Sequence, residues 1–110
     1  MKELFVYVTA PSGEEAKRIG REVVAERLAA CANIVEGMTS IFQWHGKTYE
    51  DPEAILILKT MEDRLEALVA RIRSLHSYEC PCIVALPIAG GNRTYLEWVA
   101  TETRPEKSVV

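Results

Sequence analysis

Residues 30–59 read ACANIVEGMTSIFQWHGKTYEDPEAILILK, and the fold turns on how this stretch behaves. Ala30 to Glu36 has the composition of a strand, and Gly37 permits a bend or bulge before Thr39 to Trp44 continues extended. His45-Gly46-Lys47 is expected to turn the chain, Gly46 supplying a positive φ. The returning strand runs from about Thr48 to Lys59, with Pro52 marking an edge or a bulge. An arm of that length, at roughly 3.3 Å per residue, spans roughly 40 Å. A chain of this size has a radius of gyration of only about 13 Å. The hairpin tip, carrying Phe42, Trp44 and Tyr49, is therefore expected to project beyond its own core.

The flanking segments complete a recognisable order. Leu4 to Val8 reads as a short strand, broken by Ala10-Pro11-Ser12-Gly13. Ser12 followed three residues later by Glu15 is a capping box, and Ala16, Ile19, Val23, Val24 and Leu28 recur at helical spacing behind it. After the hairpin, Thr60 is placed to cap a second helix carried by Leu65, Leu68, Val69, Ile72 and Leu75. Ile83 to Ile88 reads as a fourth strand. Gly90-Gly91-Asn92 then breaks the chain and caps a last helix with Tyr95, Leu96, Trp98 and Val99. The tail from Thr103 is expected to fray. The order β-α-β-β-α-β-α contains the split βαβ, or ferredoxin-like, pattern in its first six elements. The expectation is one α+β domain over residues 1–110, with two helices on one face of a four-stranded antiparallel sheet.

Ala54 to Leu58 and Ile83 to Leu86 are apolar at every position, whereas a strand with one wet face alternates. Both faces of the sheet thus call for a cover, and the helices supply one. A further copy of the chain is the simplest second cover, and it would also protect the long hairpin edge.

Composition narrows the function classes. The 110 residues are 48% hydrophobic and 26% charged, with a net charge of −3. That balance builds a core and offers no basic surplus for phosphate backbones, so nucleic acid is not an expected partner. The apolar runs are far too short to span a bilayer, so neither is a membrane. Met1-Lys2-Glu3-Leu4-Phe5 has no signal-peptide pattern, and the three cysteines, Cys31, Cys80 and Cys82, do not make a disulfide framework. The expected location is cytoplasmic.

Several segments in this order resemble the CutA (CutA1) divalent-cation tolerance family. They are Glu26-Arg27-Leu28-Ala29-Ala30-Cys31-Ala32-Asn33-Ile34, Thr39 through Lys47, Glu53 through Thr60, His76-Ser77-Tyr78, Pro81, Ile83, Pro87-Ile88 and Tyr95-Leu96-Glu97-Trp98. The resemblance implies a fold similar to that of PII signalling proteins, assembled as a homotrimer. It also implies a link to copper and other divalent-cation tolerance, copper binding, and no enzyme activity. Two positions depart from the pattern. Many members read His-Pro-Tyr where this chain has His76-Ser77-Tyr78, and Pro-Glu where it has Pro81-Cys82. The second departure removes a carboxylate and creates Cys80-Pro81-Cys82.

Candidate chemistry follows from residue type and place. A ligand cleft between subunits is expected to draw on Lys59, Glu53, His76, Tyr78 and Trp44. His76 closes the second helix, where a cation would meet the negative end of the dipole; ligation or a pocket hydrogen bond is its functional alternative. Lys59 either reaches an anion in the crevice or snorkels at the surface, and Glu53 either pairs with a cation or stays exposed. Copper or another divalent cation is the possible metal, with no cofactor required. Its candidate ligands are His76 with the Cys80 and Cys82 thiols, which point to one face of an extended segment and suit Cu(I). Otherwise both are small buried hydrophobes at a strand start, or an adventitious disulfide. Cys31, in an Ala-Cys-Ala stretch without an evident base, is expected to pack in the core. His45 is expected to be a solvated turn residue. Phe42, Trp44, Tyr49 and Trp98 are expected at the trimer interface, where aromatic anchors concentrate. No nucleophile–base triad, M-x-C-x-x-C loop, RNP strand pair or phosphate loop is present.

Overall fold

The computed structural model describes residues 1–105. The elements are β1 (Glu3–Ala10), α1 (Gly13–Ala25), β2 (Cys31–Trp44), β3 (Lys47–Met61), a 3-10 turn (Glu62–Arg64), α2 (Leu65–Leu75), β4 (Ile83–Pro87) and α3 (Arg93–Glu102). The sheet is antiparallel throughout, in the order β2-β3-β1-β4, which is the ferredoxin-like arrangement expected from the sequence. The chain measures 51 × 33 × 22 Å, so the hairpin does extend the molecule well beyond a sphere.

The β2–β3 hairpin explains that shape. β1 covers β3 only from Ala54 to Met61, so the arm from Lys47 to Glu53 has β2 as its single neighbour. Pro52 lies on this arm, where its missing N–H interrupts no second ladder. The register slips between Val35 and Met38, and Gly37 sits there at φ +84°. The turn is tighter than expected. His45 and Gly46 both have positive φ, 51° and 80°, as a two-residue I′-type turn requires, and Lys47 already pairs with Trp44.

Strand alternation sorts the apolar residues into two faces. Val6, Val8, Leu56 and Leu58 are fully buried under α1 and α2 with Ile19, Val23, Leu68 and Ile72. The opposite face carries Phe5, Tyr7, Ile55 and Ile57, which are half-buried. Val84 and Leu86 on β4 stand on that face 50% and 56% exposed. No element of the described chain covers its middle. α3 seals only one end, where Val99 packs on Ala30 and Met61.

Local expectations needed four corrections. The Ser12 cap forms, Ser12 Oγ accepting from Glu15 N at 3.1 Å, but the Glu15 carboxylate turns away to Ser77 instead of closing the box. α1 stops at Ala25, before Leu28, because Arg27 takes φ +60°. Thr60 is no helix cap: it is fully buried in β3, its hydroxyl donating to Leu28 O at 2.7 Å, and α2 starts from the 3-10 turn without a side-chain cap. The tail is held at Thr103, which is buried and donates to Val99 O at 2.9 Å. Arg27 adds bonds to Arg104 O at 2.7 Å and Thr101 O at 2.9 Å. The rest of the tail expected to fray, 106–110, lies outside the described residues.

Candidate functional site

The segment between α2 and β4 brings together the strongest of the candidate residues. His76 ends α2, its amide donating to Ile72 O, and its side chain is fully buried. Its Nε2 lies 2.7 Å from Thr9 O on β1, and its Nδ1 accepts from the Tyr78 amide at 3.1 Å. A carbonyl only accepts and an amide N–H only donates, so this pattern is that of the neutral ring with its proton on Nε2. His76 is therefore not the helix-end cation expected from its position. Neither ring nitrogen keeps a free lone pair, so it is not poised as a metal ligand either.

Tyr78 reaches the other way. Its hydroxyl donates to Glu53 Oε2 at 2.7 Å, and its ring tilts on His76 with centroids 4.8 Å apart. Glu53 is only 9% exposed, on β3 beside the bulge. Burial raises the Tyr78 hydroxyl well above the ordinary tyrosine range, reinforced by the hydrogen bond to Glu53 and by the charges of Glu53, Asp51 and Glu15. Glu15 braces the same segment: its Oε2 accepts from Ser77 N at 3.0 Å and Ser77 Oγ at 2.8 Å. A proline at position 77 could supply neither bond, so Ser77 gives this chain an anchor that the His-Pro-Tyr pattern lacks.

Cys82 borders the pair. Burial pushes its thiol up, the Glu53 charge adds to that, and a hydrogen bond with Thr9 works against it. Both Cys80 and Cys82 are exposed and unpaired, and β4 begins only at Ile83. The buried-hydrophobe reading of these thiols is thus overturned. Among the described residues, no three His, Cys, Asp or Glu side chains converge to hold a metal ion. One chain alone does not supply a closed copper site.

The remaining candidates lie elsewhere on the chain. Lys59 and the Trp44–Lys47 end of the hairpin each stand six residues from Glu53 along β3, roughly 20 Å in opposite directions. The Lys59 ammonium donates to Asn33 Oδ1 across the strands. Trp44 packs edge-on against His45, and Phe42 stacks on Tyr49. A cleft holding Lys59, Glu53, His76, Tyr78 and Trp44 together requires more than one copy of the chain. Trp98 rests against Tyr95, ring centroids 5.6 Å apart. Cys31 is half-buried at the sheet surface, not in the core, with Sγ 3.4 Å from Tyr95 Oη. That contact is the main cause pushing Tyr95 up to about 12.

The model of the CutA1 divalent ion tolerance protein family matches residues 4–102. The chain belongs to that family. It is 50% identical to the divalent-cation tolerance protein CutA of Thermus thermophilus, over 92% of this chain and 98% of that one. The solved structure of the Thermus thermophilus protein superposes with a TM-score of 0.90 at 49% identity, covering 93% and 99% of the two chains. The crystal structure of CutA1 from Oryza sativa gives 0.91 at 45% identity, over 94% and 95%. The chain spans little more than half the length of the curated rice and Arabidopsis thaliana chloroplastic relatives, 57% and 56%. A solved relative from Archaeoglobus fulgidus, 37% identical with a TM-score of 0.89, is described as periplasmic. No helix among the described residues is long and apolar enough to cross a membrane.

The sequence did not make Thr9 visible as a partner of His76, nor Glu15 as a partner of Ser77. Glu15 read as half of a capping box, and nothing in the sequence ties it to Ser77, 62 residues away.

Proposed function

We propose that this CutA1 chain works as a non-enzymatic homotrimer in the response to metal ions. Its clefts between subunits, at Glu53 and Tyr78, bind a divalent cation, copper first, or a small ligand. The observation that carries the trimer is the open sheet face, where Val84, Leu86 and Val35 are 47–56% exposed beside half-buried Ile55 and Ile57. Apolar surface in that amount is characteristic of an interface rather than of a wet face. Both sheet edges, β2 and β4, are also unpaired within the chain, and a head-to-tail contact between two different edges closes into a ring. In such a ring Lys59 and Trp44 of neighbouring copies can approach Glu53, which no single chain allows. The printed names of the relatives, divalent-cation tolerance proteins, favour a metal-linked role. Three free cysteines favour a reducing compartment, and we place the protein in the cytoplasm.

Copper as Cu(I) is the ion that the exposed Cys80 and Cys82 suit, with further donors coming from a neighbouring copy. A second reading is a trimeric scaffold or signalling protein that binds another protein and no metal. It is favoured by His76, whose two ring nitrogens are both engaged. Sedimentation at low concentration is expected to give about three chains per particle; a stable folded monomer overturns the trimer. Anaerobic Cu(I) titration then separates the two readings. Loss of stoichiometry in the Cys80→Ser/Cys82→Ser double variant supports thiol-bound copper, an unchanged curve moves the copper to other donors, and no binding leaves the scaffold.

A further inference from the structure

We propose that Cys80 and Cys82 are a redox-modification site: a low-molecular-weight disulfide such as glutathione disulfide oxidises the two thiols to one reversible bond within the chain. Both cysteines are free and exposed, and Pro81 alone separates them. Their Cα atoms therefore lie at most about 7 Å apart, whatever the backbone does. A disulfide spans about 4.4–6.8 Å between Cα atoms, so a slight tightening closes it. The backbone is placed to tighten. Cys80, Pro81 and Cys82 belong to no helix or strand, and lie between the Tyr78 hydroxyl held on Glu53 and the start of β4 at Ile83. Thr9 N donates to Cys82 O at 3.4 Å, a long bond that yields easily. Cys31 is out of reach. It pairs with Lys59, four residues along β3 from the Ile55 that faces Thr9, roughly 13 Å down the sheet.

The exchange balances with no further reactant. The Cys80 thiolate attacks one sulfur of glutathione disulfide, expels a glutathione thiolate and is left carrying glutathione. The Cys82 thiolate then attacks Cys80 Sγ and expels the second glutathione. Two cysteine thiols lose two electrons, glutathione disulfide gains them, and the two thiol protons pass to the two glutathione thiolates released. Burial and the Glu53 charge hold the proton on Cys82, so the first attack falls to Cys80. Once Cys80 carries glutathione, the second attack is within the chain, and nearness favours it over any outside thiol. A ring closed over a single residue is strained, and strained disulfides are the readily reduced ones, as a reversible modification requires. Closure draws the Cys82 thiol away from its hydrogen bond with Thr9. No metal takes part, so the site does not depend on the copper reading; where copper does bind these thiols, oxidation removes both donors.

The test is oxidation of the whole, metal-free protein in glutathione buffers of increasing disulfide content, quenched with a thiol-alkylating reagent and read by intact and peptide mass spectrometry. Cys80 and Cys82 are expected to lose their labels together, the chain becoming two hydrogens lighter with no glutathione attached and Cys31 still labelled. Dithiothreitol is expected to restore both labels. Cys82→Ser, at an exposed position, is expected to trap on Cys80 the glutathione that the parent chain does not retain. Copper is absent throughout, so a failed oxidation and a failed Cu(I) titration are separate results. Glutathione that stays on either cysteine of the parent overturns the proposal. So does a bond between two chains, a bond to Cys31, or a pair of thiols that stays reduced in glutathione disulfide alone.

Discussion

The Tyr78 hydroxyl donates to Glu53 Oε2 at 2.7 Å, tying the α2–β4 segment to β3 across 25 residues of sequence. The bond satisfies a carboxylate that is almost wholly buried, and among the described residues it is the segment's one hydrogen bond to the long hairpin. Its loss should register in stability as well as in ligand binding.

Tyr78→Phe leaves the Glu53 oxygen without its donor, and a buried acceptor so stranded costs about 1–3 kcal/mol. Glu53→Gln keeps a partner for the hydroxyl and should cost less. Denaturant unfolding at a fixed protein concentration ranks the two variants; equal costs would show that the bond is not what matters.

The same tyrosine sets an alkaline limit. Its hydroxyl is raised in the folded state by burial and by Glu53. The folded chain therefore holds this proton more tightly than the unfolded chain does. The resulting stabilisation is fully present below about pH 10, the unfolded value, and is lost as the pH climbs toward the folded one. Thermal unfolding followed across that range should fall less steeply in Tyr78→Phe than in the parent. Parallel curves would assign the alkaline loss to other groups.

Two glycines of α1 should respond differently to alanine. A Cβ on Gly20 would lie 3.0 Å from Ala32 Cβ and 3.3 Å from Leu56 Cδ1, rigid core atoms on the facing strands. Overpacking there costs about 1–3 kcal/mol, despite the better helix propensity of alanine. At Gly13 the obstacle is the Glu36 side chain, whose Oε1 lies where the added Cβ would go. That carboxylate can swing into solvent, giving up about 0.3–1 kcal/mol at the helix N-terminus, an amount the alanine itself roughly offsets. Gly13→Ala is thus expected to be near neutral, and a loss as large as that of Gly20→Ala would mean that Glu36 is locked in place.

These contrasts also show what the sequence carries. Element order, the hairpin, its bulge and the uncovered sheet face all follow from local signals: Gly37, His45-Gly46, Pro52 and apolar runs without alternation. The site was legible only as a set of residue types. That Glu53, His76 and Tyr78 meet depends on strands brought together over long separations, and pattern reading has no access to such pairings. Thr60 shows the opposite failure, a sound capping signal overridden because β3 runs on and buries the hydroxyl against Leu28 O. Cys31 failed for a related reason: its alternation phase places it on the outer face, beneath Tyr95.

Arg27 joins backbone strain to a tertiary clamp. It holds φ +60°, a region unfavourable for a side chain, by roughly 1–2 kcal/mol. From there its guanidinium binds Arg104 O and Thr101 O and approaches Glu102 at 3.7 Å, meeting the negative end of α3. Arg27→Ala keeps the strain and loses the clamp, whereas Arg27→Gly loses the clamp and relieves the strain. The glycine variant should therefore be the more stable of the two by about 1 kcal/mol, although both fall below the parent. Because α3 closes one end of the sheet through Val99, Ala30 and Met61, hydrogen exchange should quicken along Arg93–Glu102 in both variants alike. Faster exchange confined to Arg27→Ala would show that the left-handed backbone, and not the guanidinium, positions the helix.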